Sequence, residues 1–570
     1  LNAVVEEPGE ACPFPDAHFD ALLALEIDPD ANVLRDRLTR LAPSLNPRGY
    51  LMLRAPAPPD ETATEAADTV RRHAYDRILE AARDAGFGLY HRAPLARGRG
   101  VPPVIEAGDG DAPAGECLLV LVRPDYNPLE HAEALFDAGR PDSAFEVLAL
   151  IPAVYLQETD VRINVRALMQ LCLLSDLKRR ADLRPLDHFD KAQELFHQLV
   201  FDRPDFAPAY QCQAEFWRLL GDRDMARRLL RSAQRVAPSD AVARQIGALP
   251  PPPETRAAAE AAPDWAPAGR AAPRVLFVLH PRPHYGLDVL YDGLCATLGD
   301  NNVVEFPYKP SLHGAPPEEY KEYPCTFDRP GRPVALEELL DQLAQGEFDV
   351  VLYGDCEANL PRETAHAIAR AAGNTPLFIV DALDAAMDLR ARVMDQLGVA
   401  SVAGYFKREM LRCVDYGPNA FPLPFAYPDC RVAPAPGATP RPRQFFWAGH
   451  RQSGLRRLFL ERIEARLGVE LVAGYPQEQY LTLLHESRVG LNCFGFGFDT
   501  VRYWELPAHG VVLFSERLPI RIPFDFVDGE SAVFFGDLEE METKLDRLLA
   551  SPDECARIAA AGRAQLLRHH

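Results

Sequence analysis

Apolar and polar positions change rhythm three times along this chain of 570 residues. In the first stretch, short apolar runs alternate with helical spacing. Phe19 to Leu25 is a compact apolar run of the kind that forms a buried parallel strand. Asp28 to Leu45 has helical spacing, Asn46-Pro47-Arg48-Gly49 reads as a turn, and Tyr50 to Leu53 as the next strand. A helix is expected from about Glu65 to Ala85, followed by Gly86-Phe87, and Cys117 to Val122 closes the segment as another strand. This order predicts a partial α/β, Rossmann-like segment over residues 1–125.

From 126 to 248 the period becomes helical throughout, and the pattern repeats. Ala192, Phe196 and Pro204 recur as Ala226, Leu230 and Pro238, each 34 positions on, which is the tetratricopeptide (TPR) period. Tyr210, Ala214, Trp217, Gly221, Ala226, Leu230, Ala233 and Pro238 fall at the large, small and turn positions of such a unit. Small residues at 214 and 226 let two antiparallel helices approach, while Trp217 and Leu230 fill the gaps. Leu135, Gly139, Ala144 and Leu148 mark an earlier unit, and Arg179 to Pro185 interrupts the array. Stacked helix pairs make a concave surface suited to a peptide, or a spacer between enzyme domains. Residues 249–273, opening on Leu249 and four prolines, have no apolar periodicity and read as a semi-stiff linker.

Strand–helix alternation then returns twice. In 274–428, strands are expected at Val275–Leu279, Val303–Phe306, Phe348–Tyr353 and Leu377–Val380, with a helix over Leu287–Leu298. In 429–570, strands are expected at Phe445–Ala448, Glu470–Ala473, Val489–Cys493, Val511–Phe514 and Phe534–Phe535. Helices are expected over Leu455–Leu467, Tyr480–Glu486 and about Thr500–Ala508, with another ending at Leu549 and a last one over Ser551–Gln565. Two such domains with mostly parallel sheets face each other across a cleft at their strand C-termini, where ligands bind.

Composition narrows this picture little. With 47% hydrophobic and 25% charged residues the chain reads as globular, and its length requires several cores. A formal charge of −22 argues against broad binding to nucleic acid or anionic membrane, while permitting a local basic pocket. The 11 cysteines form no Cys-x-x-Cys pair, which removes support for a zinc ribbon or thioredoxin-type site and fits a reduced cytoplasm. No apolar run reaches the length of about 18–20 residues that spans a bilayer, and no signal peptide is visible. The first residue is Leu1, not Met, from which a preceding part is expected.

Two resemblances add to this reading. Phe19 to Glu26, Pro47 to Leu53 and Ala85 to Phe87 resemble the late "FDxhhxxE", "PxGYhhh" and "AGF" pattern of class I S-adenosylmethionine methyltransferases. The first half of that fold, with its glycine-rich turn, has no counterpart here, so a partial domain is implied rather than methyl transfer. The second resemblance covers about 300 residues. Asp499-Thr500-Val501-Arg502-Tyr503-Trp504-Glu505-Leu506-Pro507-Ala508-His509-Gly510, then a strand and Ser515-Glu516, is similar to the C-terminal signature of group 1 glycosyltransferases. It lies nearest the spore-maturation CgeB-like branch, and Ser551 to Gln565 fits that family's ending. The resemblance implies a GT-B fold of two Rossmann-like domains: an acceptor domain over 274–428 and a nucleotide-sugar domain over 429–570. The donor would be a UDP-, GDP-, dTDP- or CMP-linked sugar.

The candidate chemistry follows from what such a donor offers. A carboxylate accepts both ribose hydroxyls, the role the resemblance implies for Glu505; the alternative is a carboxylate satisfying a helix N-terminus. Arginine forks match a diphosphate. Arg456 opens a helix after the loop containing Gly449 and His450, where backbone donors favour an anion, and Arg502 lies three residues before Glu505 on the same helix face. No Asp-x-Asp motif stands at a strand end; Asp381 and Asp384 are helically spaced, so no metal is expected. His284, just before the Leu287 helix, matches the loop histidine that serves as base in inverting relatives, with His280 as its competitor. Retaining relatives often carry a Glu eight residues before the one matching Glu505; here that position is Gly497, and Asp499 is the nearest acid to assist. Tyr405 to Glu409 resembles another family segment, expected after a short strand, from which Lys407 reaches the cleft or begins a solvated helix.

The reading is therefore a cytoplasmic glycosyltransferase whose helical repeats dock a protein and whose GT-B half transfers a sugar to a Ser or Thr hydroxyl. Bacterial flagellin glycosyltransferases share this repeat-plus-transferase layout, which makes flagellin the specific acceptor implied. A polysaccharide or lipid-linked glycan acceptor, and a non-catalytic scaffold with degenerate enzyme domains, are the alternatives.

Overall fold

A computed structural model describes residues 127–151, 156–250, 272–315, 325–434, 441–451 and 454–570, Ala82 and Arg83, and the backbone of four strands nearer the N-terminus. The chain divides into two compact units, 1–181 and 182–570, so the boundary falls inside the helical stretch.

In the first unit, β1 (Phe19–Ala24), β2 (Leu45–Pro56), β3 (Gly88–Pro94) and β4 (Glu116–Val122) form one sheet in the order β1-β2-β4-β3. β1 and β2 are parallel, and β4 runs antiparallel to both its neighbours. β3 has no counterpart in the sequence expectation, which placed no element between Phe87 and Cys117. The turn expected at Asn46–Gly49 lies inside β2, which begins at Leu45. The two helices expected at 28–45 and 65–85 otherwise lie outside the described residues, apart from Ala82 and Arg83. Three helices follow: α1 (Pro128–Asp137), α2 (Pro141–Ala149) and α3 (Thr159–Arg179). Asn127 caps α1 by accepting from Leu129 N at 3.1 Å, and Gly139 supplies the left-handed turn between the first two.

The second unit opens with α4 (Pro185–Asp202), α5 (Ala207–Leu220), α6 (Arg223–Val236) and α7 (Asp240–Ala248). Gly221, at φ 99°, ends α5, and the next residue, Asp222, caps α6 through Met225 N at 2.9 Å. The positions read as small and large from the 34-residue spacing are inside: Ala192, Ala214, Ala226, Tyr210, Trp217 and Leu230 are all buried.

The N-terminal α/β lobe runs β5 (Val275–Val278), α8 (Tyr285–Leu298), β6 (Val303–Phe306), α9 (Leu336–Ala344), β7 (Val350–Tyr353), α10 (Arg362–Ala372), β8 (Leu377–Asp381), α11 (Arg390–Leu397), β9 (Gly404–Lys407) and β10 (Ala420–Pro422). Its six strands are all parallel, in the order β10-β9-β8-β7-β5-β6. Leu276, Val278, Val351, Tyr353 and Ile379 are buried between helices on one face, and Phe277, Leu279 and Val380 on the other. The segment Tyr405–Lys407 is thus itself a strand, not the residue run after one.

The C-terminal lobe runs β11 (Arg443–Phe446), α12 (Arg456–Leu467), α13 (Gln477–Glu486), β12 (Ser487–Asn492), α14 (Val501–Ala508), β13 (Val512–Glu516), β14 (Val533–Phe535), α15 (Leu538–Ala550) and α16 (Pro552–His569). Its four strands are parallel in sequence order. The strand expected at 470–473 does not form. Val469 and Val472 are exposed, and Gly449 N donating to Ala473 O at 2.7 Å ties that stretch to the loop after β11.

The helices of the second unit are bonded to both lobes. Asp190 on α4 accepts from the amides of Ala386 and Met387 in the loop after β8, at 2.7 and 2.9 Å. Arg228 on α6 donates to Arg517 O at 2.9 Å, just past β13, and Arg231 pairs with Asp537 at 3.3 Å, just past β14. The ring of Trp217 on α5 lies 5.7 Å from that of Phe498. These contacts set the helices against the loops that follow β8, β12, β13 and β14. Among the described residues no helix is long and apolar enough to cross a membrane.

Candidate functional site

The ends of β11 and β12 carry a cluster of donors without acceptors. β11 leads into the buried Trp447 and Ala448 and then Gly449, and the first residue of α12 is Arg456. Arg456 is buried and staples two loops together, donating to His450 O at 2.7 Å, Cys493 O at 3.0 Å and Phe494 O at 2.6 Å. Arg502, in the first turn of α14, lies against the same indole. The two guanidinium carbons lie 5.4 Å (Arg456) and 4.9 Å (Arg502) from the Trp447 ring centroid. The Trp447 Nε1, Arg456 Nε and Arg502 Nε atoms are all buried and have no acceptor. A buried N–H left unpaired costs about 1–3 kcal/mol, so three in one place call for an anionic or oxygen-rich ligand.

The loop glycine and histidine serve this cluster through their backbones. Gly449 has φ 145°, a conformation that glycine takes without strain, and it lies beside the Arg502 guanidinium. The His450 ring is exposed, and its carbonyl holds Arg456. Glu505, one turn into α14, is buried, with Tyr480 of α13 donating to it, Tyr427 as a second hydroxyl partner and Arg502 within Coulomb range. Burial pushes its carboxyl up, against the pull of Arg502 and the two tyrosines.

The N-terminal lobe carries two histidines in the loop after β5. His284 is the N-cap of α8; its amide donates to Asp288 at 2.9 Å, and Asp288 is paired in turn with the buried Lys309. Its Nδ1 is buried without a partner. Burial first, then the positive charge of Arg408, pushes this imidazole down to about 4, so it is neutral near neutral pH. The His280 ring lies 5.7 Å away and is committed elsewhere, to Arg282 N at 3.0 Å and Glu357 at 3.0 Å.

Two expected residues have other work. Lys407 neither reaches the cleft nor starts a helix. The parallel register of β8 and β9 sets it beside Asp381, and its fully buried ammonium bonds Asp381 at 2.8 Å and Ala385 O at 2.7 Å. Asp499 is buried with both carboxylate oxygens engaged, by Phe425 N at 2.5 Å and Trp504 Nε1 at 2.8 Å, so it ties the interlobe crossing, the segment that leaves the N-terminal lobe after β10, to α14. Glu409 makes the reciprocal tie, accepting from Phe498 N at 2.9 Å and Asp499 N at 3.1 Å. Arg408 pairs with Glu409 and Asp384 and lies over the Phe425 ring. A Cβ at Gly497 would overlap this cluster, which explains the glycine there.

Sequence reasoning missed Trp447, Tyr427, Tyr480, Arg408 and Glu409. The last two sit just past the end of β9, and ligand-facing residues gather at strand C-termini. A correct strand boundary would have pointed to them instead of to Lys407. Among the described residues no group of three or more His, Cys, Asp or Glu side chains is arranged to hold a metal ion.

With this geometry in view, residues 451–570, nearly the whole C-terminal lobe, match the family described as glycosyl transferase-like. No curated protein matches the chain. Among solved structures the chain is similar to TarM, with 9% identity, a TM-score of 0.30 and coverage of 42% of this chain and 56% of that one; it therefore spans little more than half of TarM's length. It is also similar to an O-GlcNAc transferase mutant from Thermobaculum terrenum, with 13% identity, a TM-score of 0.28 and coverage of 77% and 94%. A third similarity is to a protein described as a UDP-N-acetylglucosamine 2-epimerase from Listeria monocytogenes, with 13% identity, a TM-score of 0.27 and coverage of 52% and 95%.

Proposed function

We propose that this protein is a glycosyltransferase that moves a sugar from a nucleotide donor to a hydroxyl group of a protein. The observation that carries this reading is the trio of unpartnered donors on Trp447, Arg456 and Arg502 beside the buried carboxylate of Glu505. A nucleoside diphosphate offers what each lacks: phosphate oxygens for the three N–H groups and a ribose diol for the carboxylate. Gly449 and His450 take part through the loop backbone.

In the transfer step the acceptor oxygen forms a bond to the anomeric carbon. The bond from that carbon to the diphosphate oxygen breaks, and the leaving diphosphate keeps the electron pair. Arg456 and Arg502 stabilise that charge as it develops. His284 takes the hydroxyl proton: it is neutral, its Nδ1 is unpartnered, and it stands on the opposite lobe. Arrival of the negatively charged diphosphate offsets Arg408 and Lys309 and strengthens it as a base.

The protein acceptor is supported by the helices α4 to α6, read as TPR-like, which are bonded to both lobes. Unmodified flagellin is the first acceptor to try. Thermal-shift measurements with UDP, GDP, dTDP and CDP, and with UDP-, GDP-, dTDP- and CMP-sugars, should show one base raising the melting temperature by mass action. Absence of any shift rejects the reading. Glu505→Ala should then weaken nucleotide binding in a folded protein, and unchanged calorimetric affinity would remove its ribose role.

A further inference from the structure

Glu505 stands at the end of a hydrogen-bond chain that the transfer reaction does not use. His485 Nε2 lies 2.7 Å from His509 Nδ1, His509 Nε2 lies 3.0 Å from the Tyr427 hydroxyl, and Tyr427 is a hydrogen-bond partner of Glu505. The chain starts at the exposed His485 on α13, passes through the buried His509 at the end of α14, and crosses to Tyr427 on the segment between the lobes. The charged groups around its middle are cationic: the His509 carbonyl accepts from Arg441 at 2.7 Å, and Arg563 of α16 is within Coulomb range of the ring.

The direction of each bond follows from chemistry. An ionised carboxylate only accepts, so Tyr427 donates to Glu505. The Tyr427 oxygen then accepts from His509 Nε2–H. Burial and the neighbouring positive charges keep His509 neutral, so its Nδ1 is bare and accepts from His485 Nε2–H. Every donor in the chain therefore points towards Glu505. A carboxylate has about four lone-pair sites. Tyr480 and Tyr427 fill two of them, from α13 and from the crossing segment. The two that remain match the two hydroxyls of a vicinal diol.

We propose that Tyr427, His509 and His485 are positioning residues that hold Glu505 with two acceptor sites turned to the 2′- and 3′-hydroxyls of the donor ribose. This rests on the reading of Glu505 as the ribose ligand and adds the means by which ribose is told from 2′-deoxyribose.

The test is calorimetry with the ribonucleoside diphosphate chosen by the thermal screen and with its 2′-deoxy counterpart, with thermal melts in parallel; selection of dTDP, which has no 2′-hydroxyl, over every ribonucleotide overturns the proposal. Wild type should prefer the ribonucleotide. Tyr427→Phe, which keeps the ring, and His509→Leu should weaken the ribonucleotide about 3–10-fold, the loss of one hydrogen bond, and leave the 2′-deoxy compound unchanged. His509→Gln should restore the preference, because an amide donates to Tyr427 and accepts from His485. Equal weakening of both nucleotides, or none with Tyr427→Phe, overturns the proposal while the ribose role of Glu505 survives. A wild-type protein that binds both nucleotides equally overturns the ribose reading, and the proposal falls with it.

Discussion

Replacing Arg502 and Arg456 in turn by methionine separates a residue kept for a ligand from one that also holds the fold. Methionine keeps most of the aliphatic stem against Trp447 and removes the charge and donors. At 502 the folded protein loses a stacking contact, about 0.5–1 kcal/mol, a hydrogen bond with Tyr480, about 0.5–1.5 kcal/mol, and the cation near buried Glu505, and is relieved of a buried donor without an acceptor, about 1–3 kcal/mol. The terms nearly offset, so stability should change by less than about 1 kcal/mol. Loss of one charge-assisted contact to the diphosphate is worth about 1.5–3 kcal/mol, or roughly 10–150-fold in Kd. At 456 the side chain donates to three backbone carbonyls that link the loops after β11 and β12. Its loss should weaken nucleotide binding and also destabilise the fold by about 2–4 kcal/mol. Urea denaturation read beside calorimetry distinguishes the two. If Arg502→Met destabilises as much as Arg456→Met and leaves affinity intact, the unpaired donors do not mark an anion site.

Lys407→Met leaves Asp381 buried without its cation and should cost about 3–5 kcal/mol in urea denaturation, with no change in nucleotide affinity of the folded protein; lost affinity at full stability would return Lys407 to the donor site. Gly497→Ala brings a Cβ to 2.6 Å from Asp384 Oδ1 and against Glu409, so it should destabilise by about 1–3 kcal/mol, and a neutral effect would show that the interlobe contact is loose. Burial pushes Glu516 from its ordinary 4.5 up to about 7; stability from this group is full below about 4.5 and is lost as pH rises through 7, a difference of roughly 3 kcal/mol at most. Glu516→Gln should therefore be the more stable protein at pH 8 and show a flatter profile between pH 5 and 8, and parallel profiles would remove the burial argument. His284→Ala should slow transfer with little effect on donor affinity, and a fully active variant would remove it as the base.

Periodicity alone was enough to place most of the elements of the two α/β lobes and the buried positions of α4, α5 and α6. Both are set locally: a strand buried on two faces must be a continuous apolar run, and close helices need small residues at Ala192, Ala214 and Ala226. The stretch 470–473 shows the limit of that logic, since a short run such as Leu471-Val472-Ala473 becomes a strand only when a neighbour offers it an edge. The candidate site came into view in two ways: the resemblance implied Glu505 and His284, and the chemistry of a diphosphate pointed to Arg456 at a helix start and to Arg502 beside Glu505. What each one does was decided by long-range pairing. The register of β8 against β9 turned Lys407 inward to Asp381, and the interlobe crossing took both oxygens of Asp499. The folding of α13 and the crossing segment around α14 surrounded Glu505 with Tyr480 and Tyr427. A side chain's partners come from residues distant in the chain, so its charge, its free donors and its chemistry are properties of the packed structure.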